Sequence, residues 1–422
     1  MAFHVFSIIT ENNFAIQNYR FVAICTQIFP LISLKFGLEL KTILILYSSS
    51  FIIIQALIFL IISLGLKNKK YALLLILFNI LICSHLFFWI QSELQQAMAF
   101  LILFFAIFEN FIYKKSNSVL FILSLLLIPI FIFGHPLLIF PSIFILGNLF
   151  WSNKSEKNKI ILVTIIVILI FLIKKYLFAT AYDSEAQQGL NNIKNIFPHI
   201  FNIQSNKNFI HYLIEHYYFL IIFTVANIFY LLKDKKIIQL FWSLFFIVTY
   251  TFLINLNYVN GAEQFYLENQ YAVLVIFVSY PFLEYVFIKI SDQKQFLLLA
   301  LIFSCMLIRV FSICKIYNER LDWQKQFLIK TEKLEYKKLV VSEEKVPMKI
   351  LKMSWATPYE FWLISTLENK QTRSIIINPK IEELQQNIEK NKIFISTWGV
   401  FDYANFNKKY FIFSDTSKYV IY

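Results

Sequence analysis

The chain has 422 residues, of which 58% are hydrophobic and only 15% charged, with a mean hydropathy of +0.62. No soluble domain of this size hides that much apolar surface, so the composition predicts an α-helical polytopic membrane protein. The formal charge of +13 reads as basic cytoplasmic loops, not as a nucleic-acid surface.

Taken in order, the first 40 residues contain one short apolar segment, 21–34, interrupted by Pro30. Membrane helices are expected at about 41–66, 71–90, 94–113, 118–133, 136–151, 159–179, 213–232, 237–256, 269–290 and 295–316. That is ten, or eleven if 21–34 crosses as well. Lysines gather at 67–70, 114–115, 154–159, 233–236 and 289–294, whereas the turns at 91–93, 134–135, 180–212 and 257–268 carry few. The basic connectors belong in the cytoplasm and the others outside.

This alternation makes 116–151 a pair of short helices or a re-entrant hairpin, cut by Gly134, His135 and Pro136 with His135 on the outer side. It also starts helix 41–66 from outside. Two alternatives then stay open for the beginning of the chain. Either 21–34 spans the membrane, or it lies in the interface and a first helix lies upstream of an internal start. The bundle is assigned to 1–317. The four cysteines lie in apolar segments without metal spacing and are expected to be buried thiols.

From about residue 318 charged residues become frequent. Segments 338–341, 374–378, 392–396, 410–413 and 419–422 are predicted as strands, and 358–367 and 381–390 as helices with Thr357 as an N-cap. Residues 318–422 are therefore expected to form a small α/β domain, placed extracytoplasmically by the same parity.

The polar groups able to carry chemistry lie mostly at outer helix ends. A carboxylate against an apolar surface can take a proton from a hydroxyl. Glu93 stands in a very short loop and cannot go far from the membrane. Asp183, Glu185, Glu263 and Glu268 occupy the longer outer loops, where a solvated charge or a helix cap is the simpler account. His135 is either a turn residue bonded to backbone or a phosphate contact, since ionisable groups at membrane depth are rare without a role. Lys174, Lys175 and Arg309 end outer halves of helices. They can snorkel to headgroups or hold a lipid phosphate, for which a guanidinium is well shaped. Glu284 is expected to make an inner polar contact. His199, His211 and His216 share no metal-binding spacing, and no glycine-rich phosphate loop is present.

Three stretches resemble the GT-C superfamily of membrane glycosyltransferases, which use polyprenyl-phosphate-linked sugars. They are the first outer region from Phe3 to Tyr19 and Arg20 with Glu11, the FYLENQYAVL segment at 265–274, and IYNERLDW at 316–323. Gln270 stands where the superfamily usually has arginine, and Glu11 is the only carboxylate near the first outer region. The resemblance implies that Glu93 or Glu11 activates an acceptor hydroxyl. His135, Lys174, Lys175 and Arg309, with Glu268 nearby, would then surround the leaving lipid phosphate. It implies membrane lipids and a lipid-linked sugar donor as partners and no nucleic acid. No cofactor is assigned, a divalent cation being the one candidate. The setting would be cell-envelope polysaccharide synthesis in a bacterial inner (plasma) membrane. The richness in Ile, Lys, Asn and Phe is in keeping with a bacterial source. An O-antigen-type polymerase or ligase, a transporter and a non-enzymatic membrane subunit are the alternatives.

Overall fold

The structure, a computed structural model, describes residues 2–89, 92–114, 118–153, 155–181, 196–334 and 336–422. It is mostly helical. The helices used below are α1 (Ala2–Glu11), α2 (Ile24–Lys35), α3 (Leu40–Leu60), α4 (Lys69–Ile80), α5 (Ser92–Lys114), α6 (Ser118–Ser124), α7 (Leu127–Gly134), α8 (Ile139–Ser152) and α9 (Lys157–Leu177). They continue with α10 (Gln204–Glu215), α11 (Tyr218–Lys233), α12 (Ile237–Asn257), α13 (Gln264–Tyr271), α14 (Leu274–Pro281) and α15 (Asp292–Glu332).

Among the described residues five helices are long and apolar enough to cross a membrane. Two bent pairs, α10 with α11 at 84° and Gln264–Tyr271 with Leu274–Lys289 at 41°, raise that to seven. These breaks interrupt apolar runs that hydropathy predicts as straight helices. Within the run at 71–90 the α-helix ends at Ile80 and a 3-10 turn follows at His85–Phe87, the helix expected at 213–232 begins at Tyr218, and that at 269–290 is interrupted after Tyr271. The helix expected at 295–316 instead continues to Glu332. Between 118 and 152 lie two apolar stretches of short helix, Ser118–Gly134 and Pro136–Ser152, with His135 extended between them.

The chain divides into two compact units. The larger, Ile16–Ala23 with Ile53–Phe311, is a helical assembly. Its apolar core is built on α4, α5, α7, α8 and α14, with Phe104, Phe105, Phe131, Phe144 and Phe277 fully buried. Within its apolar window α5 is 78% buried, against 22% for α9 and 28% for α12. So α5 is the central rod, and the peripheral helices turn Ile and Leu outward. That is the pattern expected where the surrounding medium is itself apolar.

The smaller unit joins Met1–Ala15, Ile24–Ile52 and Ser312–Tyr422. Strands β1 (Lys338–Ser342) and β2 (Ser374–Asn378) run parallel, and β5 (Val420–Ile421) pairs in parallel with the other edge of β1. β3 (Ile393–Ser396) and β4 (Gly399–Asp402) form an antiparallel hairpin. Between β1 and β2 lies the helix α17 (Thr357–Asn369), after the single turn α16 (Met348–Leu351). Parallel strands covered on both faces read as unbroken apolar runs. Here Leu339, Val341, Ile375 and Ile377 pack on Phe327, Phe361 and Ile364, while Val340 and Ile376 pack on Ile388, Ile393 and Ile395. A third cluster brings Val5, Phe6, Leu31 and Tyr47 onto Tyr359, Trp362 and Phe411.

Several local expectations need correction. Residues 410–413 are not a strand and contribute only a bridge from Phe413 to Thr372, because Tyr410 gives its carbonyl to the Trp362 indole instead. Residues 381–390 form a 3-10 turn and one helical turn, not a full helix. Thr357 is the first helical residue and not the N-cap, its hydroxyl donating to the Ser354 carbonyl. β4 was not expected. The four cysteines are free, as expected, but half-buried and not fully buried.

Candidate functional site

The site in the helical unit follows from two places where a helix stops inside apolar surroundings. In an unbroken helix the N–H of Leu137 would bond to the carbonyl of Phe133. Pro136 cannot continue the helix, and the Leu137 N–H is instead accepted by His135 Nδ1 at 3.3 Å. The carbonyl of Phe133 takes the ammonium of Lys174 at 3.0 Å. Lys174 is thereby buried, whereas Lys175 on the next position of α9 is exposed. With Nδ1 accepting, the neutral imidazole carries its proton on Nε2 as a donor.

Close packing draws further groups to this break. A Cβ on Gly134 would lie 2.5 Å from Ala97 Cβ and 3.1 Å from Val22 Cγ1. Only glycine lets the end of α7 press against α5 and the turn Phe21–Ala23. Arg20 precedes that turn, and Glu93 lies in the first turn of α5. Arg20 Nη1 and Glu93 Oε2 are 3.8 Å apart, with their side chains 10% and 16% exposed. The charges of Arg20 and Lys174 both reach His135. One carboxylate, two cations and an imidazole donor thus gather from four chain segments.

The second break follows α4. In a continued helix the N–H of Ser84 would bond to Ile80 and that of His85 to Leu81. Here the two halves of each bond are separated, and each half finds an ionic side chain. Arg309 Nη2 donates to the Ile80 carbonyl at 2.7 Å and Nη1 to the Leu81 carbonyl at 2.8 Å, with a further bond to the His216 carbonyl. The Glu268 carboxylate accepts from the N–H of Ser84, from the His85 N–H at 3.0 Å and from Ser84 Oγ at 3.1 Å. Both side chains are buried, Glu268 completely. A helix end without water needs such partners. His85 stacks on Trp89 at 5.6 Å, and Trp89 on Phe265 at 5.7 Å. This ladder ties the chain as far as Trp89 to the start of α13.

Of the residues singled out from sequence, His135 and Lys174 serve the first break, Glu93 joins it through Arg20, and Glu268 and Arg309 serve the second. Glu11 ends α1 in the smaller unit and is exposed. Glu284 shares Lys70 with Glu109, at 2.8 and 2.5 Å. Glu263 precedes α13, His211 pairs with Glu215 at 3.3 Å, and His199 lies exposed on a 3-10 turn. Asp183 and Glu185 fall outside the described residues. Among the described residues no group of three or more His, Cys, Asp or Glu side chains is arranged to hold a metal ion.

Arg20, Ser84 and His85 were not assigned to the site from sequence. Arginine offered a signal: the chain has only Arg20, Arg309, Arg320 and Arg373, and all four are buried. No family model, curated protein or solved structure matches the chain.

Proposed function

We propose that the chain is an integral membrane glycosyltransferase of the GT-C kind. In this reading it moves a sugar from a lipid-linked donor to an acceptor at the outer face of a bacterial inner membrane, with the 318–422 domain on that outer side. The observation that carries the reading is the pairing of Glu93 with Arg20, whose charge, like that of Lys174, reaches His135 at the broken helix. Glu93 takes the proton of the acceptor hydroxyl as that oxygen attacks the anomeric carbon. The bond from that carbon to the lipid phosphate breaks, and the phosphate leaves as an anion toward the Arg20 guanidinium, the Lys174 ammonium and His135 Nε2–H. Stabilising the charge that develops on the leaving group is the larger electrostatic task, and a water-poor site strengthens it. Arg309 and Glu268 act on backbone in this scheme and hold the path of residues 80–85.

The deciding experiment is the profile of lipid-linked and surface glycans in cells lacking the gene, complemented with wild type or Glu93→Gln. The expected result is a truncated glycan restored by wild type alone, with sugar transfer by the variant lowered by roughly 10² to 10⁴, the usual worth of a general base. An unchanged profile in the deletion strain overturns the reading.

One observation favours a second reading, a transporter of lipid-linked glycans. Helices broken within apolar surroundings, with charged groups at the breaks, are a transporter device. Purified protein in detergent separates the two, since an enzyme transfers sugar without compartments and a transporter does not.

A further inference from the structure

The helical unit carries an apolar cleft of about 280 Å³ that the proposed chemistry does not use. α8 contributes Ile143, Gly147 and Trp151 to it, α9 contributes Ile161 and Thr164, and α12 contributes Trp242. The Trp242 ring lies where a Cβ on Gly147 would meet it at 2.7 Å, and its indole N–H is already bonded to the Phe144 carbonyl. The cleft is thus a fixed feature with a dry aromatic wall. It opens on the side of α9 where Ile161 and Ile165 are 45% and 56% exposed.

One end is marked by charge. Lys157 opens α9 and holds its ammonium 4.6 Å from the Phe150 ring, at the rim. Among the described residues it enters no ion pair, whereas its neighbour Lys159 is neutralised by Glu156 at 2.8 Å. From Lys157 to Ile165 the helix rises about 12 Å. That is close to the depth of one leaflet, half of a hydrocarbon core about 30 Å thick.

From this geometry we infer that the cleft between α8, α9 and α12 binds one acyl chain of an anionic phospholipid from the leaflet facing the basic loops, with its phosphate on Lys157. The inference rests on the membrane reading and is independent of glycosyl transfer. An apolar wall of leaflet depth selects a lipid chain, and the unpaired cation at its mouth selects an anionic headgroup.

The full chain in nanodiscs of phosphatidylethanolamine and phosphatidylglycerol in equal parts, followed by native mass spectrometry, tests it. Wild type should retain a phosphatidylglycerol molecule. Thr164→Phe, which fills the cleft, should lose it. Lys157→Gln, a surface change that leaves folding intact, should lower phosphatidylglycerol retention roughly fivefold, the worth of one lysine near an anionic surface, and leave phosphatidylethanolamine unaffected. Equal retention by wild type and both variants overturns the proposal, as does retention of a polyprenyl lipid in its place. Alkaline extraction of membranes tests the underlying reading separately. Release of the wild-type chain into the wash overturns the membrane reading, whereas a chain that stays and shows no cleft-dependent lipid overturns the cleft alone.

Discussion

In the helical unit Arg309 and Glu268 serve backbone groups, the one taking carbonyls of residues 80, 81 and 216 and the other taking N–H groups of residues 84 and 85. In the α/β unit Arg320 and Glu360 serve each other. Arg320 Nη1 and Nη2 reach the two Glu360 oxygens at 2.8 and 2.5 Å, and Gln324 adds a third bond to the same carboxylate at 2.7 Å. The strands of the smaller unit pair with one another, and this ionic pair fixes where a helix docks, with Arg320 Nε also donating to the Leu351 carbonyl at 2.8 Å. A broken helix in apolar surroundings has no such pairing and no water, so full charges are recruited to the peptide groups. The contrast between these two pairs is that Arg309 and Glu268 hold the peptide groups of a backbone break, whereas Arg320 and Glu360 hold each other across a packing contact.

Removal of one partner should be costly in both units, but only one unit should recover when the other partner is removed as well. Glu268→Ala should cost about 3 to 5 kcal/mol, seen as a lowered thermal midpoint in detergent, because it leaves the buried N–H groups of Ser84 and His85 without their acceptor. Adding Arg309→Ala should not restore the midpoint, since the peptide groups of the break stay unsatisfied. Arg320→Met should cost about 3 kcal/mol, and adding Glu360→Leu should recover part of it, because a buried pair replaced as a whole is often near neutral. Equal recovery in the two double variants would break the comparison.

The next effect is set by pH. Lys338 is buried at the start of β1, where its ammonium lies 4.5 Å from the Tyr419 ring and donates to the Ser417 carbonyl at 2.8 Å. Burial pulls its pKa down to about 8, with Asp415 opposing. Below pH 8 both folded and unfolded chains carry the charge, and folding bears the cost of burying it. Between pH 8 and about 10.5 the unfolded chain binds more protons, so stability rises with pH by up to about 3 kcal/mol and then levels. Lys338→Met should abolish that rise, measured as thermal midpoint against pH. The smallest effect sharpens the helical side of the comparison. Asn68 caps α4, accepting from Tyr71 N–H, and also bonds Asn110 at 3.3 Å. Asn68→Ala should cost about 1 kcal/mol, an ordinary cap loss and far less than the loss of an ionic partner at a break.

Much of the candidate site was legible because ionisable groups in apolar runs are conspicuous. Glu93, His135, Lys174 and Arg309 stood out on that ground, whereas Glu268 was read at an outer turn and its burial was not legible. Their partnerships did not stand out. Arg309 reads as a phosphate ligand by its planar fork, yet the described structure turns that fork to carbonyls. Arg20 follows a tyrosine in a weakly apolar segment, and no local pattern ties it to Glu93.

Hydropathy by itself determined where the apolar runs lie, and β-branched runs placed β1, β2 and β3 near their observed positions. Both follow from composition over a short window, which is all that transfer of side chains out of water depends on. Tertiary structure alone decided that the run after Ile80 stops being a helix and that the N-terminal segment joins the C-terminal strands in one core. Leu81, Ile82 and Cys83 are as apolar as any helical turn. What ends the helix there is the offer of better partners for its carbonyls and N–H groups. Those partners lie 228 residues away in Arg309 and 184 away in Glu268, beyond the reach of any local reading.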